Sequence, residues 1–151
     1  MIDVKDLMVG NWVKSPQGIT QVHNVLTDKI ITKNDKRGVN CYHTTDIVPI
    51  EVTKELLEKI GFEEYEDLPL EGKFYRYWDK DCKYKLDVCD IYTNSDLRWH
   101  VHIDNEDCCS LGSGEFDHVH ELQNLIRINC KADLPITKEV FDGLGNDAKK
   151  R

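Results

Sequence analysis

Apolar and polar positions alternate most cleanly over Leu97–Asp104, where Leu97, Trp99, Val101 and Ile103 interleave with Arg98, His100, His102 and Asp104. Successive side chains of a strand point to opposite faces, so this alternation predicts a half-buried β-strand. Asn105–Glu115, rich in Asn, Asp, Ser and Gly, predicts a loop, with Gly112 and Gly114 supplying backbone freedom around Ser113. The pattern then turns helical. Asp117 predicts an N-cap for a helix over 118–129. Val119, Leu122, Leu125 and Ile126 fall on one face of that helix, and His120, Gln123, Asn124 and Arg127 on the other.

The same two periods organise the rest of the chain. Tyr84, Leu86 and Val88 alternate with Lys83, Lys85 and Asp87, and a further strand is predicted over 73–78. Short links between them predict an antiparallel β meander over 73–104. The 118–129 helix covers it, giving a two-layer α+β unit. Thr53 and Gly61 read as the start and stop of a connecting helix over 54–60, which docks through Leu56, Leu57 and Ile60 instead of serving as a tether. A similar Thr-Lys-Glu start predicts a short C-terminal helix over 137–144. The acidic stretch Glu63–Gly72, which contains Pro69, predicts a loop. Residues 1–52 hold short apolar runs split by turn signals, with Ile47–Val52 as the closing strand. They predict a small SH3-like β barrel. The expected organisation is α+β, with a β module at 1–52 and the two-layer unit at 53–151.

Charge narrows the partners. The 151 residues carry 28 acidic and 20 basic side chains, a formal net charge of −8. Residues 1–52 hold six of each sign, so the whole excess lies in 53–151. Phosphate binding relies on Lys and Arg, so this balance disfavours nucleic acid as a partner. Nucleic-acid contact remains an alternative only through the neutral first module and its basic tip at Lys33, Lys36 and Arg37. The opening MIDVKDLMVG lacks the features of a signal peptide, and no apolar run reaches the length of a membrane span. A cytoplasmic protein with no membrane contact is expected. The six cysteines have no framework spacing and include the vicinal pair Cys108–Cys109, so free thiols are expected.

Candidate chemistry gathers on the alternating strand and the helix after it. His100, His102 and Asp104 project to one side of the strand and are residue types that ligate zinc. His118 and His120 would diverge by about 200° around a helix, which prevents them from sharing one ion. No spacing fixes a complete ligand set, so neither a tight metal nor a cofactor is expected. A His-based or metal-assisted hydrolase on His100, His102, Asp104 and His120, with Gln123 and Asn124 nearby, is one reading. The chain has no P-loop, Gly-x-Ser-x-Gly or His-Glu-x-x-His motif to support it. A non-enzymatic interaction module is the favoured reading. Tyr75, Tyr77 and Tyr92 would be its aromatic anchors and Arg127 part of its polar rim, with a protein partner or a second copy as its target.

Three phrases resemble a family of short proteins from Bacteroides-type gut bacteria and their prophages. They are Asp6–Val13 (DLMVGNWV), the Pro49-Ile50 to Thr53 step into a helix ending Gly61-Phe62, and Val119–Asn124 (VHELQN). The resemblance implies a domain layout and a bacterial or phage cytoplasmic setting. It implies no activity, ligand or catalytic residue.

Overall fold

The computed structural model describes residues 2–34, 38–65, 73–79, 81, 83–93 and 96–144. The protein is α+β, with two antiparallel sheets and two α-helices among the described residues, and it divides into two compact units. The first unit takes the chain up to Glu51, His118–Asn124 and the segment from Thr137. The second takes Val52–Asp117 and Leu125–Ile136.

The first unit is built on four consecutive strands, β1 (Trp12–Ser15), β2 (Gly18–Val25), β3 (Lys29–Asn34) and β4 (Gly38–His43), paired in that order. Val13, Val22 and Ile30 turn inward and join Ile2, Leu7 and Ile47 in one core. The expected barrel does not close. The sheet is an open meander, and the predicted closing strand makes one bridge to it, Lys14 to Val48, with both backbone bonds at 2.9 Å, and one from Glu51 to His118. The backbone groups that would extend the ladder are engaged elsewhere: Trp12 N–H donates to Gln123 Oε1 at 2.9 Å, and Ile50 O accepts Val119 N–H at 2.9 Å. The predicted 137–144 helix is a single 3₁₀ turn, Lys138–Phe141. Gly143 follows at φ +85°, a conformation that ends a helix. Trp12 and Phe141 meet in this unit with ring centroids 5.3 Å apart.

The second unit is a five-stranded sheet in sequence order: β5 (Glu63–Tyr65), β6 (Phe74–Asp79), β7 (Tyr84–Thr93), β8 (Asp96–Asn105) and β9 (Ser110–Phe116). Helix α1 (Lys54–Ile60) forms where predicted. Thr53 Oγ1 accepts from Leu56 N–H at 3.2 Å, and Gly61 ends the helix at φ +121°. Leu56, Leu57 and Ile60 are all buried.

Parts of two expected loops are strands, with residues 66–72 outside the described residues. Glu63–Tyr65 pairs with Arg76–Phe74, and Ser110–Phe116 pairs with the central strand β8. Gly112 and Gly114 sit in β9 without positive φ. They clear space instead. A Cβ at Gly114 would lie 2.7 Å from Leu125 Cδ2, and one at Gly112 would collide with the Asn129 side chain. Both neighbours belong to helix α2 (Val119–Cys130), whose residues divide between the units at Asn124 and Leu125.

Candidate functional site

The second unit's sheet has two chemically distinct faces, set by the strand register. Tyr75 and Tyr77 pair with Val88 and Leu86, which pair with Val101 and Ile103. Tyr75, Leu86, Val88, Val101 and Ile103 are buried, so this is the core face. Tyr75 is only 2% exposed, which overturns its role as a surface anchor. Tyr77 shares that face, with its ring against Phe62 at 5.3 Å and Tyr84 at 6.3 Å. The side chain of Tyr92 lies outside the described residues. Arg127 is engaged by Asp133, at 2.9 Å from Nε and 2.8 Å from Nη2.

The opposite face carries the polar residues of the central strand. Arg76, Asp87, His102 and Ser113 form one cross-strand row; Trp78, Lys85, Asp104 and Ser110 form the next. Charges alternate across these rows. Arg76 Nε contacts Asp87 Oδ1 at 2.8 Å. Lys85 Nζ lies 3.6 Å from Asp87 Oδ2 and 3.8 Å from Asp104 Oδ2. His102 Nε2 lies 3.0 Å from Asp104 Oδ1. Tyr65 adds its hydroxyl to Asp87 at 3.1 Å, and its ring lies under the Arg76 guanidinium at 4.2 Å. Burial, and then the Asp87 carboxylate beside it, push the Tyr65 phenol above its ordinary range. Trp78, 42% exposed, stands at the edge of this network. A groove of about 510 Å³ is lined there by Gly61, Glu63, Glu64, Tyr65, Arg76 and Trp78.

The candidate histidines are divided between the two units. His102 and Asp104 form a close pair, and His100 pairs with Cys89 and Glu115 in the neighbouring row. His120 belongs to the first unit. No group of three or more His, Cys, Asp or Glu side chains among the described residues is arranged to hold a metal ion.

In the first unit, Gln123 and Asn124 close on the loop that precedes β1. Trp12 N–H donates to Gln123 Oε1 at 2.9 Å, and Gln123 Nε2 donates to Gly10 O at 3.2 Å. One amide side chain thus pairs with the backbone on both sides of Asn11, as a neighbouring strand would. Asn11, fully buried, donates from Nδ2 to Asn124 Oδ1 at 2.9 Å and accepts Met8 N–H at 2.7 Å. Asn124 Nδ2 donates in turn to Asp6 O at 2.6 Å. The clamp joins DLMVGNWV to VHELQN, two phrases that lie over a hundred residues apart in sequence.

Its helix starts one residue later than predicted. His118, not Asp117, occupies the cap. Its N–H is bound by Glu121 Oε2 at 3.0 Å, and its carbonyl accepts Leu122 N–H at 3.2 Å. A bridge to Glu51 holds the His118 backbone in a strand pairing. The helical divergence expected of His118 and His120 therefore does not apply, and their rings stack at 5.7 Å with 14° between planes.

Sequence reasoning missed Trp78, Arg76, Lys85 and Asp87 as one surface with His102 and Asp104. Only the register joins them. Comparison with protein-family models, with curated proteins and with solved structures finds no match.

Proposed function

We propose that the protein is a non-enzymatic interaction module in a bacterial or prophage cytoplasmic setting, and that it binds a protein partner through the polar face of the five-stranded sheet. The carrying observation is Trp78, a large aromatic side chain left 42% exposed beside a charge network already satisfied within the sheet. A half-exposed Trp next to ordered polar groups has the make-up of an interface anchor with its rim. The second unit contains 18 acidic and 10 basic residues and the rest of the chain ten of each, so the long-range field favours a basic partner. That field also disfavours nucleic acid and a second copy of the same unit. The alternative hydrolase reading rests on the His102–Asp104 pair. The nucleic-acid alternative rests on Lys33, Lys36 and Arg37, of which Lys36 and Arg37 lie outside the described residues.

The test is capture from a bacterial lysate by the parent chain and by Trp78→Ala, with hydroxyl-radical footprinting of the captured complex. The parent should retain a protein partner that protects Trp78 and His102, and the variant should lose at least tenfold of it. Equal capture by the variant, or protection elsewhere, overturns the assignment. Recovery of nucleic acid, or of a dimer by light scattering, would replace the proposed partner.

A further inference from the structure

His120 is a buried group that neither sheet face uses. It is 3% exposed, and its Nδ1 has no hydrogen-bond partner. It lies in the first turn of α2, where backbone N–H groups disfavour a positive charge. Gln123 and Asn124 follow it by three and four residues, the spacing that puts side chains on one helix face. The imidazole and the clamp amides thus share a face of the helix in the first unit. The titratable groups around it are Glu121 and the stacked His118 on its own helix, and Asp6 from the clamped segment.

We propose that His120 is an acid-sensitive latch: taking up a proton draws its ring out of the helix face and releases the Gln123–Asn124 clamp from residues 6–12. The physical reason is desolvation. An imidazolium there would be enclosed, with an Nδ1–H lacking an acceptor, and opening this turn gives it water. Glu121 and Asp6 favour the charged form, while His118 and burial oppose it. Burial is the largest influence, and the ring is held below the ordinary histidine range. The sign follows by linkage. The opened state titrates near the ordinary value of about 6.5, so it binds the proton at a higher pH than the closed state. The latch is fully shut above that pH and loses stability as the pH falls below it.

Amide hydrogen exchange on the full chain tests this, with rates corrected for intrinsic exchange. Met8 and Trp12 N–H are the clamped amides, and amides of β3 serve as the reference. Between pH 7.5 and 5.0 the clamped amides should lose at least tenfold protection while the reference holds. In His120→Phe and His120→Gln that pH dependence should vanish. An equal loss in both variants overturns the latch. So does loss of β3 protection in step, which is global acid unfolding, or a His120 ring that titrates by NMR while the clamped amides stay protected.

Discussion

Gly114 shows how a single residue carries different information in sequence and in structure. Beside Gly112 and Ser113 it reads as turn chemistry. Its backbone is that of a strand, and what it provides is the missing Cβ, facing Leu125 of α2. Close approach between a helix and a strand leaves the same composition as a flexible loop, so periodicity could not separate them. A substitution can. Gly114→Val adds a β-branched side chain suited to a strand but overfills the contact, where the first added carbon would already stand 2.7 Å from Leu125 Cδ2. Overpacking of this kind costs about 1–3 kcal/mol. Urea unfolding should show that loss, and a Gly114→Val midpoint at or above the parent's would return the segment to a loop.

Elements whose signals are local were legible. Helix α1 has its cap, its apolar stripe and its terminating glycine within nine residues, and each does what the sequence implies. Residues 137–145 repeat the start, but Val140, Phe141 and Gly143 are weaker helix formers than their counterparts Leu56, Leu57 and Lys59, and only a 3₁₀ turn forms. Strand β5 was hidden by acidic residues, whose pairing depends on Arg76 and Lys54 elsewhere: Glu63 registers opposite Arg76, and Glu64 meets Lys54 at 3.0 Å. The Lys54 ammonium holds the Glu64 carboxyl below its ordinary range. The stripe on α1 gives the sharpest test at this scale. Leu57 is fully buried, so Leu57→Asp places an unpaired charge in the core and should cost several kcal/mol, about 3–5 by the general cost of such changes. Thermal unfolding reads it directly, and an unchanged midpoint would mean that the helix is not part of the core.

For the whole molecule, the sequence conveyed the α+β class and the seat of the charge. It did not convey which sheet face is solvent-exposed. The segment 74–79 alternates Phe74, Arg76 and Trp78 with Tyr75, Tyr77 and Asp79, so aromatic residues stand on both faces and neither set declares itself apolar. The decision comes from β7. There Val88 and Leu86 stand opposite Tyr75 and Tyr77, while Asp87 and Lys85 stand opposite Arg76 and Trp78. Likewise, the clamp partners of Gln123 and Asn124 are over a hundred residues away, a distance that helical periodicity does not encode. The face assignment predicts two opposite mutant behaviours. Tyr75→Ala empties a buried aromatic site and should cost about 3–5 kcal/mol. Trp78→Ala removes a half-exposed ring and should cost about 1 kcal/mol or less. The three tryptophans supply an independent readout, because Trp12 and Trp99 are 8% and 7% exposed against 42% for Trp78. Acrylamide should therefore quench mainly Trp78 in the native chain, and Trp78→Ala should abolish most of the quenchable emission while the unfolding midpoint stays near the parent's. If Trp78→Ala unfolds the protein and Tyr75→Ala does not, the two faces are exchanged, and the binding surface belongs with Tyr75 and Tyr77.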